Sequence, residues 1–445
     1  MLGSQASPAF GGVVFTNLYA FTNGVDGAAP LAALAPGPDG SLYGVASSGG
    51  SADNGAVFKI STNGVLTTLH SFTNTDGTAP SAALAPGTNG YLYGTAFSGG
   101  TNGGYGTVFE VATNGAVRRL YCFDFTNGAY PQGSLVQGGD GWFYGTTFSG
   151  GSNAYGTVIK ISTNGALTLL HSFDFANGAY PRASLAVGQD GAFYGTASGG
   201  GTYNVGSVFR IAPNGAFTNL HSFLSTDGAN PYAGLTLGSD GYFYGTTYQG
   251  GTGGGNGTVF RIATNGALTS LHSFTGGNDG AFPDAVLALG SDGNLYGTTS
   301  GGGTNYGSGT IFRMTTAGVL TTLYTFTGGN DGASPGAGLV MGGDGSFYGT
   351  TSLGGPNQYG TVFRLQSPFQ GAAPSFQSFR QTGQTLTLIW STVPQQKYQL
   401  QYSGNVAATV WTNLGAVIIP LGNTATNADA VASQGSRFYR IAVVP

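Results

Sequence analysis

An all-β fold, in the form of a seven-bladed β-propeller followed by a small β-sandwich, is what the sequence predicts. The first observation is a motif, LYGT or FYGT with LYGV in its first copy, that recurs seven times at intervals of 50 to 52 residues. Its tyrosine is at Tyr43, Tyr93, Tyr144, Tyr194, Tyr244, Tyr296 and Tyr348. The second is that each interval contains four short stretches of alternating apolar and polar residues rich in β-branched and aromatic types. No stretch has a helical period, and four-strand repeats of about 40–50 residues are typical of propeller blades.

The fourth repeat illustrates the order of the strands. Strand 1 follows a proline in PRASLAVG (181–188), and an Asp-Gly turn leads to strand 2 in AFYGTAS (192–198). A glycine-rich loop leads to strand 3 in GSVFRI (206–211), and an Asn-Gly turn leads to strand 4 in AFTNLHSF (216–223). We expect the Asn-Gly pairs to form two-residue type I′ hairpin turns.

The two ends of the repeat region complement each other. The N-terminal segment VVFTNLYAF (13–21) has the pattern of strand 4 but precedes any strand 1, whereas the last repeat (335–365) lacks a strand 4 of its own. We therefore expect the N-terminal strand to complete the last blade and close the ring, which removes a free sheet edge.

The C-terminal segment does not repeat. Residues 366–374 have the composition of a linker, and alternating stretches such as TLTLIW (385–390) follow it. This segment is similar to the small immunoglobulin- or fibronectin-III-like modules that end many secreted bacterial proteins, and Trp390 is its expected core residue. The predicted domains are thus a propeller at 1–365, a linker at 366–374 and a β-sandwich at 375–445.

Composition excludes several classes of function. Only 7% of the residues are charged, the net charge is −4, and no Lys/Arg cluster is present, so nucleic-acid binding is not expected. No apolar run is long enough to span a membrane. The single cysteine, Cys122, cannot form an intramolecular disulfide. The first fifteen residues lack the pattern of a signal peptide, which leaves a cytosolic protein or one whose signal peptide is absent from this sequence. Abundant Asn, Thr, Ser and Tyr favour an extracellular or cell-surface location.

Units with the pattern LYGTT, SGG, GTVFRI, TNG, LHSF and DGA resemble the GloVer tandem repeat of secreted "choice-of-anchor" bacterial proteins, found in groups such as the Verrucomicrobia. The resemblance covers about residues 10–365. It implies a propeller-like, exported and surface-associated protein, and it implies no established activity.

Positions that agree among the repeats are expected to serve the fold. The four histidines occupy the LHSF position, which tyrosine fills in other repeats, so we interpret it as a half-buried hydrogen-bonding position. Six repeats pair an aspartate before strand 2 with a Lys or Arg in strand 3, which predicts one ion pair per blade. In the second repeat Asn89 and Glu110, the only glutamate, replace both charges, and the predicted hairpin places Glu110 opposite Arg119.

Positions that differ among the repeats are the functional candidates, and they flank the seven prolines. In a propeller strand 1 is innermost, so these residues would line the mouth of the central channel. One arc of the ring is aromatic and polar, and its residues form the predicted ligand site: Tyr130, Gln132, Tyr180, Arg182, Asn230, Tyr232, Phe282 and Asp284. The loops between strands 2 and 3 add tyrosines suited to stacking on sugar rings: Tyr105, Tyr155, Tyr203, Tyr306 and Tyr359.

Three functions remain open from the sequence. The first is binding of a carbohydrate or another extracellular ligand at the tyrosine-rich face. The second is a polysaccharide hydrolase or lyase that uses Asp284, Arg182 and Tyr232, although neither an HExxH motif nor a Ser-His-Asp order is present. The third is a structural module of the cell envelope. No cofactor or metal site is predicted, Ca²⁺ at the Asn/Asp-Gly loops remains possible, and the oligomeric state stays open.

Overall fold

The structure is a computed structural model that describes residues 13–304, 307–366, 376–391, 397–404, 411–419, 424–430 and 437–444. Within these ranges the chain forms β-strands, turns and loops, and no helix. Tyr306 and residues 367–374 of the predicted linker lie outside the described residues. In the part of the chain that is described, no helix is long and apolar enough to cross a membrane.

The described part of the repeat region forms seven four-stranded antiparallel sheets, numbered here 1 to 7 in chain order. Each sheet runs from a two-residue first strand to a fourth strand at its other edge. The first strands are Ala35–Pro36, Ala85–Pro86, Val136–Gln137, Ala186–Val187, Thr236–Leu237, Ala288–Leu289 and Val340–Met341. The second strands are Leu42–Ala46, Leu92–Ala96, Phe143–Thr147, Phe193–Ala197, Phe243–Thr247, Leu295–Thr299 and Phe347–Thr351. The third strands are Ala56–Ile60, Thr107–Val111, Thr157–Ile161, Ser207–Ile211, Thr258–Ile262, Thr310–Met314 and Thr361–Gln366. The fourth strands are Leu66–Ser71, Val117–Cys122, Leu167–Ser172, Phe217–Ser222, Leu268–Ser273, Leu320–Thr325 and, in sheet 7, Val14–Ala20.

Close packing explains the glycine of the LYGT motif. Every residue of the second strands is buried. In sheet 1 a Cβ on Gly44 would lie 2.5 Å from Cζ of Phe58 and 2.8 Å from Cδ2 of Leu34. Only glycine lets the phenylalanine of the third strand and the leucine before the first strand meet over the second strand, so this position is specified by the core.

The hairpin between the third and fourth strands differs from the predicted type I′ turn. In sheet 2 the N–H of Gly115 donates to the carbonyl of Ala112, and the N–H of Ala112 donates to the carbonyl of Ala116. Gly115 has φ +91°, whereas Asn114 is not among the residues with positive φ. The turn is therefore a type I turn followed by a left-handed glycine, one residue longer than expected, and the prediction of a two-residue loop was wrong.

The N-terminal strand is the fourth strand of sheet 7. Val14–Ala20 pairs antiparallel with Thr361–Gln366, with Phe15 opposite Leu365 and a bulge between Asn17 and Tyr19. This is the pairing that the sequence predicts for the two ends of the repeat region.

Sheets 3 to 7 each make the same contact with the sheet that follows. A threonine hydroxyl of the second strand donates to a carbonyl of the following sheet, as Thr146 does to Ala183 at 2.9 Å. Thr350 of sheet 7 donates in the same way to the carbonyl of Ala32, just before the first strand of sheet 1, at 3.3 Å. The arrangement is that of propeller-like repeats, in which neighbouring units bury each other's faces.

The described residues after the repeats form two three-stranded sheets. One contains Phe376–Thr382, Thr385–Ser391 and Thr424–Ala430, and the other contains Lys397–Ser403, Thr412–Asn413 and Phe438–Val444. Their buried side chains meet in one cluster that includes Leu388, Leu400 and the fully buried Trp390. The tryptophan is thus a core residue of this segment, as the sequence predicts.

Candidate functional site

One cavity of about 240 Å³ collects the residue that follows each of the seven repeat prolines. These residues are Leu31, Ser81, Gln132, Arg182, Tyr232, Asp284 and Gly336, and Ser300, Ser334 and Ser352 complete the lining. The lining is asymmetric, because Gln132, Arg182, Tyr232 and Asp284 come from consecutive sheets and the other post-proline residues are small or aliphatic. Four of the eight predicted ligand-site residues therefore meet in one place.

The loop before each proline has an unusual backbone that fixes the following residue. The residue before proline has a positive φ in every repeat, between 49° for Ala29 and 59° for Phe282. A proline normally drives its predecessor into the extended region, so this conformation is strained. It is held by a hydrogen bond from the N–H of that residue to a loop carbonyl of the preceding sheet, as from Tyr180 to Tyr155 at 2.8 Å. The same bond joins the first repeat to the last, from the N–H of Ala29 to the carbonyl of Tyr359 at 3.0 Å.

A continuous stack of flat groups crosses the polar arc of the cavity. The Arg182 guanidinium lies 4.7 Å from the ring centroid of Phe148 on one side and 4.7 Å from that of Tyr232 on the other. Tyr232 stacks on Tyr248 at 4.7 Å, and Tyr248 lies 5.1 Å from Phe282. Such cation–π and stacking contacts hold the guanidinium and Tyr232 in one orientation without using their hydrogen-bonding groups.

Asp284 brings an isolated carboxyl group to the same cavity. Its Oδ1 is buried without a hydrogen-bond partner, and no Lys or Arg of the described residues forms an ion pair with it within 4.0 Å. Burial away from a counter-charge raises the pKa of this carboxyl from its ordinary value of 3.8 to about 7. The carboxylate lies against Gly336, where a Cβ would come within 3.1 Å of Oδ2. The carboxyl group of Asp284 therefore gains and loses its proton near neutral pH, and its Oδ1 is available to bond a ligand.

The four predicted residues that precede prolines do not line the cavity. Tyr130 and Tyr180 stack on Phe97 and Phe148 at 5.1 Å, Phe282 packs on Tyr248, and the Asn230 side chain donates to the carbonyl of Ser198. Ser334 is the one residue before a proline that lines the cavity in the described part of the chain. The four predicted residues support the loop, and their role in ligand binding stays a prediction.

The loop tyrosines divide into two groups. Tyr105 and Tyr155 are half-buried and pack on Phe125 and Phe175 at 5.3 and 5.1 Å, so packing explains them. Tyr203 and Tyr359 are exposed, with 54% and 40% of their surface accessible. Only these two of the described loop tyrosines are free to meet a ligand.

Two lining serines escaped the sequence reasoning. Ser300 and Ser352 directly follow the second strand, and each hydroxyl donates to the carbonyl before a proline, at 2.8 Å for Ser300 to Phe282. The signal was present, because the same position alternates between serine and an aromatic residue along the repeats: Ser47, Phe97, Phe148, Ser198, Tyr248, Ser300 and Ser352. Where it is aromatic, as at Phe148 and Tyr248, it joins the stack.

At the other end of the sheets the repeated aspartates serve the fold. Each of the six accepts a hydrogen bond from the tyrosine hydroxyl of its own LYGT or FYGT motif, at 2.6 to 3.1 Å. Burial, followed by this bond, raises the pKa of Tyr43, Tyr244 and Tyr348 to about 12. The predicted ion pair forms in three of the six repeats: Lys59–Asp39, Arg210–Asp190 and Arg313–Asp292. Lys160 and Arg261 instead lie over Trp142 and Tyr242.

Glu110 belongs to this structural layer. It is 7% exposed and accepts a hydrogen bond from Nε of Arg118 at 2.7 Å. The prediction of Arg119 as its partner was wrong, because the longer turn shifts the register and places Arg118 opposite Glu110. Asn89 donates to the hydroxyl of Tyr93, so the second repeat keeps the contact of the turn with the tyrosine.

The histidines also have structural partners. His70, His221 and His272 each bond an aspartate six or seven residues later, at 2.8 to 3.1 Å, and Tyr19 and Tyr324 bond Asp26 and Asp331 in the same way. Among the described residues, no group of three or more His, Cys, Asp or Glu side chains is placed to hold a metal ion.

Solved structures with similar folds share little sequence with this chain. A protein from Bacteroides uniformis, provisionally assigned as a 6-phosphogluconolactonase, is 16% identical, with a TM-score of 0.44 over 87% of this chain and 99% of that one. A protein of unknown function from Dyadobacter fermentans is 11% identical, with a TM-score of 0.45 over 80% of this chain and 100% of that one. A puromycin hydrolase is 10% identical, with a TM-score of 0.44 over 83% of this chain and 60% of that one. At these TM-scores the likenesses carry no argument about function.

No curated protein matches the chain. A family model, the Gloeobacter/Verrucomicrobia repeat, matches residues 7–189 and again residues 181–413. The two matches together span the seven sheets and confirm the resemblance that the repeated LYGT, VFRI and LHSF motifs indicate. The chain belongs to the Gloeobacter/Verrucomicrobia repeat family.

Proposed function

We propose that the seven sheets are the blades of a closed seven-bladed β-propeller (residues 1–365), joined by a linker (366–374) to a C-terminal β-sandwich (375–445). The hydrogen bonds from Thr350 to Ala32 and from Ala29 to Tyr359 support closure, because they repeat between sheets 7 and 1 the contacts that join consecutive sheets. The shared cluster around Trp390 supports a sandwich of the two C-terminal sheets.

On this scaffold the protein binds a carbohydrate at the cavity that the post-proline residues line. The observation that carries the proposal is the combination of polar atoms without a partner and aromatic side chains that hold them in place. Among the described residues, Asp284 Oδ1 and Arg182 Nε are both buried without a hydrogen-bond partner. Tyr232, from the repeat between theirs, lines the same cavity. Unpaired buried polar groups cost free energy, so a site that retains them is suited to a ligand that supplies the missing partners.

The protein is proposed to act outside the cell, at the bacterial surface, and to need no cofactor. Its low charge, its richness in Asn, Thr, Ser and Tyr, and the exported character that the family resemblance implies support this location. Its partner would be a glycan.

A glycan array with the purified full chain tests the binding function. Binding of at least one saccharide is expected, and Asp284→Asn together with Tyr232→Ala should weaken it. The first change removes a hydrogen-bonding carboxylate oxygen, and the second removes a hydroxyl and the ring that holds Arg182 in place. Asp190→Asn, at the opposite end of sheet 4, is the matched control and should bind as the unchanged protein does. If no saccharide binds while the chain is folded, the carbohydrate proposal is wrong and a structural role in the envelope gains support.

A polysaccharide-active hydrolase or lyase is the second candidate, and the carboxyl of Asp284 favours it. A pKa of about 7 suits a general acid or base near neutral pH, and Arg182 and Tyr232 line the same cavity. A reducing-sugar assay on every saccharide that binds separates the two functions. Turnover that Asp284→Asn abolishes supports the enzyme, whereas binding without turnover excludes it.

A further inference from the structure

Arg182 indicates which carbohydrates the cavity takes. Resting on the proposed carbohydrate-binding function, we propose that the ligand is an acidic sugar, one that carries a carboxylate or a sulfate ester, and that Arg182 binds this anionic group.

The guanidinium of Arg182 has a fixed orientation. It lies between the rings of Phe148 and Tyr232, with its central carbon 4.7 Å from each ring centroid. Cation–π contacts with two rings use none of the N–H groups of the guanidinium, so these groups remain available to other partners. Holding that edge in place in advance reduces the entropy that a bound anion would otherwise cost.

The charge of Arg182 is not neutralised by the protein. Among the described residues it forms no ion pair within 4.0 Å and no hydrogen bond, and its Nε is buried without a partner. Four of the eight other cations in the described repeats form an ion pair, namely Lys59, Arg118, Arg210 and Arg313. An enclosed cation without an anion is costly, and a planar oxyanion that accepts two parallel N–H bonds is its best partner.

The neighbours of Arg182 fit the rest of a sugar. The Tyr232 ring is covered by Arg182 and Tyr248, so this residue offers its hydroxyl to a ligand. Gln132 and Asp284 offer further groups that bond sugar hydroxyls. The cavity volume of about 240 Å³ is below the roughly 300–1,000 Å³ of pockets for drug-sized ligands. A single sugar unit, such as the end of a chain, is therefore the part that enters, and the small residues Ser81 and Gly336 leave the opposite side open.

Isothermal titration calorimetry with four forms of the full chain tests the inference. The probes are a galacturonic acid trisaccharide, a sulfated galactose trisaccharide and the neutral galactose trisaccharide, at low salt and about pH 5, where Asp284 is protonated. The forms are the unchanged chain, Arg182→Gln, Arg182→Lys and Arg261→Gln. Arg261 is the matched control, because it also lies over a ring, that of Tyr242 at 4.8 Å, and also has an unpartnered Nε, but it does not line the cavity.

We expect at least one acidic probe to bind at least about tenfold more tightly than the neutral one. Arg182→Gln should abolish this preference, Arg182→Lys should retain part of it, and Arg261→Gln should leave it unchanged. The probe that binds identifies the anion as a carboxylate or a sulfate.

Three results would overturn the inference. Equal binding of acidic and neutral probes would refute the preference for an acidic sugar and would leave the carbohydrate-binding function standing. If the Arg182→Gln form still prefers the acidic probes, Arg182 is not the residue that binds the anionic group. No binding of any probe by a chain with an unchanged thermal melting curve, combined with an empty glycan array, would refute the carbohydrate function and the inference together.

Discussion

Asp284 shows how one position that departs from its six counterparts acquires distinct chemistry. The other residues after the repeat prolines are neutral or, at Arg182, cationic, and only this one places a carboxyl in the cavity. The groups near it are Arg182 and Tyr232 in the lining and Tyr248 beside it, whose pKa is raised by burial and by the Asp284 charge. Burial dominates, because no cation pairs with the carboxyl.

The raised pKa of Asp284 predicts a pH-dependent stability. Between about pH 4 and pH 7 the folded chain keeps a proton that the unfolded chain releases, so the free energy of unfolding should fall as pH rises through this range. Asp284→Asn removes the titration, and it should stabilise the protein relative to the unchanged chain by up to about 4 kcal/mol at neutral pH and above. Below about pH 4 the two should be equally stable.

Urea unfolding over this pH range measures the difference. Asp174→Asn is the control, because this exposed aspartate accepts a turn hydrogen bond from the N–H of Asn177 at 2.9 Å that an asparagine oxygen also accepts. A constant difference between Asp284→Asn and the unchanged chain at all pH values would contradict the buried, unpaired carboxyl.

The hairpin between the third and fourth strands illustrates how a local turn sets contacts across a whole sheet. The left-handed glycine at its end, Gly115 in sheet 2, adds one residue to the loop and thereby brings Arg118 opposite Glu110. It also contacts the neighbouring sheet, because a Cβ on Gly115 would lie 2.6 Å from the carbonyl oxygen of Leu69. The same turn glycine recurs as Gly64, Gly165, Gly215 and Gly266, each with φ near +90°.

Two glycines with similar φ separate backbone strain from this close approach. Gly141 has φ +81° and open space around it, so Gly141→Ala should cost about 1–2 kcal/mol, the price of the left-handed conformation alone. Gly115→Ala should cost clearly more, since the methyl group also meets the Leu69 carbonyl. Equal losses in thermal or urea unfolding would show that the sheets are free to separate at this point.

The molecule as a whole depends on an exchange between its two ends. The N-terminal strand covers the edge of the last third strand, and its Phe15 packs on Tyr324 at 4.1 Å and on Phe363 at 5.3 Å. These rings belong to sheets 6 and 7, so one side chain near the start of the chain joins two sheets near the end of the repeats. Contacts this distant in sequence carry a large loop-closure entropy, because they fix the two ends of the repeat region together.

Removal of this packing should destabilise the whole repeat region. Phe15→Ala is expected to cost about 3–5 kcal/mol, as for other buried phenylalanines, and to promote aggregation through the exposed edge of sheet 7. Val14→Ala, on the same strand but 46% exposed, is the control and should cost much less. If Phe15→Ala melts at the temperature of Val14→Ala, the N-terminal strand is not an integral part of sheet 7.

The sequence by itself determined the repeat, the order of the strands, the pairing of Val14–Ala20 with the last sheet and the family. It could do so because seven copies of one unit make every position visible seven times, and the alternation of apolar residues follows directly from the geometry of a strand. It also identified the positions around the prolines as those where the copies disagree, and thus Gln132, Arg182, Tyr232 and Asp284 as site candidates.

Only the tertiary structure decided which of these candidates share a cavity. The positive φ before each proline depends on a hydrogen bond to the preceding sheet, and no pattern within one repeat contains that bond. The partner of Glu110 depended likewise on one extra residue in a turn. Whether Arg182 and Asp284 have a counter-ion among the described residues depends on distances between sheets. Local alternation is encoded within a few residues, whereas solvation and charge compensation arise only when distant residues are brought together.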